Sequence, residues 1–211
     1  MDFSVQIQYN VSQEDGWMAR PQEFETSEAL CGAMHVFWSK GYEATSLADI
    51  LAATGLSKSS LYATFGDKHE LFLASFKAYQ QQRLYHLERI LNNDQPARQS
   101  IETFFRLVLD RSTGDVLHGS GCMTANAAVE LAPHDPDVQR MVAEDFQAID
   151  YAFALTIARG QVDGSITSRQ KPGTLAHFLV VSLQGFEVMA RAKTNRARLD
   201  ESVTVMLATL D

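Results

Sequence analysis

Two cysteines in 211 residues, Cys31 and Cys122, give this chain no means for a disulfide framework. They stand far apart without a paired spacing, which fits a reducing cytoplasm. No uninterrupted run of about 18 apolar residues occurs, so no membrane span is expected. The start, M-D-F-S-V-Q-I-Q-Y-N, has neither a basic segment nor an apolar one, so no secretory signal is read and the sequon Asn10-Val11-Ser12 carries no weight. G-x-G-x-x-G and the phosphate-binding loop are missing. Gly119-Ser120-Gly121 lacks the spacing of a nucleophile elbow. Enzyme chemistry and a cofactor are therefore not expected. Metal is not expected either: His118 stands four residues before Cys122 with no second pair, and Asp135, beside His134 and Asp137, serves better as a helix cap.

Cations are also in short supply, 18 Lys and Arg against 26 Asp and Glu, for a net charge of −8. Nonspecific attraction to a phosphate backbone is correspondingly weak. Placement matters more than the sum. Within residues 19–70 the cations are Arg20, Lys40, Lys58 and Lys68, and three of these, Arg20, Lys58 and Lys68, lie on an arm or at helix starts.

What the chain has is helical patterning over a 45% apolar composition. Residues 1–17 show no periodicity and are read as an extension or a misplaced start. A first helix is expected over 27–40, with Leu30, Ala33, Met34, Phe37 and Trp38 on one stripe and Gly41 at its end. Asp67 and Glu70 cap a long helix carrying Leu71, Phe72, Phe76, Tyr79, Leu84, Leu87 and Leu91. Further helices fit 97–112, 122–132, 137–162, 173–192 and 197–210, and no strand is expected. The last two carry Leu175, Phe178, Leu179, Phe186 and Met189, then Leu199, Val203, Met206 and Leu207. The expected class is all-α: a head over 18–70 joined by the long helix to a body over 71–211.

The densest signal runs from Thr45 to Phe72. Ser46 and Asp49 are spaced as a capping box, and Leu47, Ile50 and Leu51 form a stripe; Ala48, Ala52 and Ala53 are small enough for a close helix approach. Gly55 supplies the turn, and Ser57 caps a second short helix that buries Leu61 and Phe65. Its other face, Lys58, Ser59, Ser60, Tyr62 and Thr64, is small and hydrogen-bonding. This is a helix-turn-helix, whose second helix suits the DNA major groove.

Residues 18–82 resemble the DNA-binding part of the tetracycline-repressor (TetR) family. M-A-R-P-Q-E-F, F-W-S-K-G-Y-E-A-T-S-L-A-D-I, G-L-S-K-S-S-L-Y-A-T-F and G-D-K-H-E-L-F carry the likeness. It implies a ligand-responsive regulator, a repressor that binds a pseudo-palindromic operator as a homodimer through its last two helices, where charges at Phe186 or Val203 would break the pair. It also implies phosphate contacts from Thr45, Tyr62 and Lys68. From chemistry alone, Lys58 suits guanine or a phosphate, Ser57, Ser59, Ser60 and Thr64 offer small donors, and Arg20 suits the minor groove.

An effector pocket in the body is expected among Phe105, Leu109, Met123, Asn126, Glu130, Phe153, His177 and Phe178, with Phe104 and Gln184 nearby in the pattern; all of these fit an ordinary core equally. Cys122 opens a helix, which lowers a thiol's pKa and suits redox or electrophile sensing, or it is a small core hydrophobe. A helical interaction protein that never touches DNA is the other alternative.

Overall fold

The computed structural model describes residues 20–112 and 120–211, and of 20–25 and 111–112 the backbone alone. The expected extension at 1–17 and His118 lie outside the described residues. Among those described there are nine α-helices and no strand. They are α1 Arg20–Lys40, α2 Leu47–Thr54, α3 Lys58–Phe65, α4 Lys68–Leu91, α5 Ala97–Ser112, α6 Met123–Glu130, α7 Pro136–Asp163, α8 Pro172–Arg191 and α9 Arg196–Leu207, the last followed by a 3-10 turn, Ala208–Leu210. The first helix begins at Arg20 rather than at 27. Pro21 suits a first turn, where a missing N–H loses no partner.

Local chemistry sets the ends. Ser46 accepts the Asp49 N–H at 3.1 Å while Asp49 accepts the Ser46 N–H at 3.0 Å, closing the capping box. Asp67 caps α4 by accepting from Glu70. Asp135 caps α7 by accepting from Asp137 and Val138 at 3.0 and 3.1 Å. At Gly55 and Gly41 the chain turns with φ of 68° and 87°, where a side chain would be strained.

Two apolar cores stack along the long helices. The first joins Met34, Phe37, Ile50, Leu61, Leu71, Phe72 and Phe76 to Met123, Leu131, Val138 and Val142. The second joins Leu87 and Leu91 to Phe105, Leu109, Phe153, Leu179, Leu183, Phe186, Val203 and Leu207. At about 1.5 Å per residue, the 24 residues of α4 make a rod of roughly 36 Å, long enough to run through both.

Polar ties fix α6 and the start of α7 to the first helices. Trp38 Nε1 donates to the Gly121 carbonyl at 2.8 Å. Glu130 accepts the N–H groups of Tyr42 and Glu43 at 3.1 and 2.9 Å, and His69 Nε2 lies 2.6 Å from Asp135 Oδ2. Partial burial pushes the Asp135 carboxyl up, but the N–H bonds from Val138 and Asp137 and the His69 imidazole outweigh it and hold it below the ordinary range. A carboxyl depressed in the fold contributes stability above its unfolded value of about 3.9, and that stability is lost as pH falls through the folded value. Asp135→Ala is expected to cost about 1 kcal/mol at neutral pH, as a lost N-cap does, and to flatten the acid limb of a stability-versus-pH curve below about pH 4. Chemical denaturation across pH reads both; an unchanged acid limb would remove Asp135 from the account.

Although no uninterrupted apolar run exists, α8 is long and apolar enough to cross a membrane, with a mean hydropathy of 1.3 over 18 residues. It serves as a core helix here, burying Leu175, Leu179, Leu183 and Phe186.

Candidate nucleic-acid interface

The second helix of the pair, α3, buries Leu61, half-buries Phe65, and turns the rest outward. Leu61 anchors it in the first core, so the helix lies on its apolar edge with its polar face free. On that face Lys58, Ser59, Ser60, Tyr62 and Thr64 are all exposed, Tyr62 at 39%. Ser57 Oγ accepts the Ser60 N–H at 3.1 Å and lies 3.0 and 2.8 Å from the hydroxyls of Ser59 and Ser60. Ser57 therefore acts as a cap, and three hydroxyls cluster where the first-turn N–H groups point outward. The Lys58 ammonium sits 5.9 Å from the Tyr62 ring centroid, so cation and phenol share one side of the helix.

Lys68, the first residue of α4, holds its ammonium 4.3 Å over the Tyr42 ring. Tyr42 is itself fixed edge-on against Phe72 and His69. A cation at the next helix start is thus held in place by an aromatic neighbour rather than left to wander. The sequence reading missed Tyr42; its signal was an aromatic directly after the turn glycine. Asp49, on the helix before the face, pairs with Lys40 at 2.6 Å, and that contact with the Ser46 bonds holds its carboxyl well below the usual range.

Two assignments change. Thr45 is buried, and its hydroxyl donates to the Gly41 carbonyl at 2.5 Å. It ties off the turn between α1 and α2 and offers no side-chain donor to a phosphate. Ala48, Ala52 and Ala53 are exposed, and the close approach of α1 to α2 is made by Gly32, where a Cβ would lie 2.4 Å from the Ala53 carbonyl oxygen. Arg20 opens α1, but its side chain lies outside what is described.

Of the body residues expected to share one pocket, Phe105, Leu109 and Phe153 come together and the others do not join them. Phe105 and Phe153 stack at 5.8 Å inside the second core with Leu109, and Met123 belongs to the first. The Asn126 amide donates to the Ser120 carbonyl at 3.0 Å, and Glu130 is committed to the Tyr42–Glu43 backbone. His177 and Phe178 face outward from α8. Apolar periodicity reports burial, and burial does not distinguish a core from a cavity wall. Cys122 is buried too, capping α6 by accepting the Ala125 N–H at 3.5 Å. Burial pushes its thiol up despite the nearby Arg83, opposite to what a reactive thiol at a helix start requires.

Two family models match the chain: "Bacterial regulatory proteins, tetR family" over residues 29–75 and "Tetracyclin repressor-like, C-terminal domain" over 97–206. The chain is 30% identical over 195 residues to the uncharacterized HTH-type transcriptional regulator YezE of Bacillus subtilis (strain 168), covering 92% of this chain and 100% of that one. It is 28% identical over 181 residues to the HTH-type transcriptional repressor ComR of Escherichia coli (strain K12), covering 85% and 86%. Among solved structures it resembles the regulator CifR, as a cysteine mutant complexed with 26-bp double-strand operator DNA. There the TM-score is 0.78 and the identity 29%, with 94% of this chain and 100% of that chain covered.

Proposed function

Because the chain belongs to the tetR family of bacterial regulatory proteins, which are DNA-binding transcriptional regulators, we propose that it works as a cytoplasmic repressor that grips its operator as a homodimer and lets go when a small molecule binds the body. One observation carries the DNA assignment to particular residues: the outward face of α3, with Lys58, Tyr62 and the serine hydroxyls on it and Leu61 holding it from behind. Two such faces, related by a two-fold axis, would enter successive major grooves roughly 34–36 Å apart on a pseudo-palindromic site. With so acidic a chain, one head makes too few cationic contacts, and pairing makes up the difference.

The pairing surface we assign is the outer side of α8. There Phe178, Val181 and Val188 are exposed in helical register with Gly185, where an added Cβ would meet nothing within 4 Å. Val205 adds an exposed apolar residue on α9. This keeps the last two helices as the interface but moves it off Phe186 and Val203, which lie inside the second core.

Operator titrations at several salt concentrations test the DNA assignment. Lys68→Ala is expected to weaken binding alike on all sequences and to lower the slope of log K against log salt by about 1, as one lost phosphate contact does. Lys58→Ala is expected to change which base is preferred at one position, at a cost of about 1–3 kcal/mol. Two variants that both bind like the parent would show that α3 and the start of α4 do not face DNA.

A further inference from the structure

The two apolar cores do not merge; a polar layer separates them. On α4 the first core ends at Tyr79 and the second resumes at Leu87, and on α7 the corresponding residues are Val142 and Ile149. Between them lie Arg83 and Asp145, paired at 2.9 Å, with side chains 13% and 3% exposed. Asp145 Oδ2 also accepts the Thr124 hydroxyl at 2.8 Å. Tyr79, one turn before Arg83, accepts the Met123 N–H at 3.2 Å, and its ring is held edge-on by Trp38 at 5.1 Å. Three helices, α4, α6 and α7, thus fix the groups around one guanidinium.

That guanidinium is incomplete. Arg83 Nη2 is fully buried and has no hydrogen-bond partner. Burying a charged donor without an acceptor is costly, and such orphans in a native fold call for a reason. The rest of the layer is well bonded, so loose packing is not that reason.

We propose that Arg83 Nη2 is the recognition point of the effector, and that the effector is a small uncharged molecule presenting an oxygen acceptor such as a carbonyl. This rests on the ligand-responsive reading above. The charge around Arg83 selects against an anion. The guanidinium already faces the Asp145 carboxylate, and Glu187 on α8 lies near enough to act on it electrostatically. Arg191 is turned to the Ser120 carbonyl at 3.0 Å. A further carboxylate would add a third negative charge around one cation. A neutral carbonyl takes a charge-assisted bond without that repulsion, and the residues nearest Arg83, Tyr79 and Cys122, are themselves buried. The other orphaned groups, Asp150 Oδ1 and the Gln184 amide, lie further along α7 and on α8.

The test uses the full chain and three probes of one shape: benzamide, benzoate and benzamidine, with acetamide, acetate and acetamidine as smaller counterparts. Arginine side-chain ¹⁵N resonances and the thermal midpoint are followed on titration. A neutral amide should shift the Arg83 signal and raise the midpoint at millimolar concentration, with the matching anion and cation at least tenfold weaker. Arg83→Met combined with Asp145→Leu removes both charges, leaves neither unpaired, and should weaken amide binding at least tenfold. If that pair does not fold, Arg83→Lys keeps the charge but not the forked nitrogens and should lose the same binding. Tighter binding of either carboxylate overturns the ligand class. No response of Arg83 to any probe, or unchanged amide binding in the variants, overturns the site. Operator binding by the unmodified chain, measured without probes, separates either failure from failure of the regulator reading.

Discussion

Val181→Asp is expected to leave a folded monomer that binds operator at least a hundredfold more weakly than the parent. Val181 is 71% exposed on α8, flanked by Phe178 at 45% and Val188 at 54%, while the opposite side of the helix is packed into the second core. In a two-fold interface the substitution acts twice, and an unpaired charge buried in an apolar contact costs several kcal/mol, roughly 3–5 where it has been examined. The monomer itself loses nothing, because the site already faces water. Val203→Asp is the informative contrast. Val203 is fully buried, so a charge there is expected to unfold the chain rather than merely separate two copies. Sedimentation and circular dichroism on both variants distinguish these outcomes. A Val181→Asp protein that stays dimeric with parental affinity would place the interface away from α8.

Gly32→Ala should also have a large effect, this time on folding. Alanine normally stabilises a helix interior by about 1 kcal/mol over glycine. Here its Cβ would lie 2.4 Å from the carbonyl oxygen of Ala53 and 3.0 Å from the carbonyl carbon, and both are backbone atoms that no rotamer change can move. The crossing of α1 and α2 has to open instead. Overpacking of this kind costs about 1–3 kcal/mol, and each kcal/mol is worth roughly 2–4 °C in a chain this long. Operator affinity should fall further than stability alone predicts, since α2 carries α3. Gly173→Ala, where a Cβ meets nothing within 4 Å, is the control and should be neutral or mildly stabilising. Equal melting of the two variants would mean that α1 and α2 do not cross as closely as described.

How much of this could be read from the residues depended on the range of the interaction. Caps act over three or four residues, so Ser46, Ser57, Asp67 and Asp135 marked helix starts that the structure keeps. Leu61 with a polar remainder marked which side of α3 faces out. Long-range facts were not visible. Arg83 and Asp145 are far apart in the chain, and nothing local says that they meet. Thr45 looked like an exposed donor because its acceptor, the Gly41 carbonyl, belongs to a turn whose geometry is set by packing. On α8 both sides are apolar, so periodicity named the helix without saying which side the protein keeps for itself; Phe186 is buried and Val181 exposed. Gly32 resembled any tolerated helix glycine, and only the crossing of the helices gives it a purpose.

The first core has a consequence for how such regulators can be recombined. Met123, Leu131, Val138 and Val142 come from far along the chain, yet they pack in the same cluster as Phe37, Ile50 and Leu61. The matched segments at 29–75 and 97–206 suggest a seam between them, but a cut along α4 would divide this cluster and strand its halves. Glu130 would lose the Tyr42 and Glu43 amides, and Asp135 would lose His69. A graft that moves only α1 to α3 onto a relative's scaffold therefore carries half of a jigsaw. To transplant this reader of DNA intact, α6 and the first turns of α7 must travel with it.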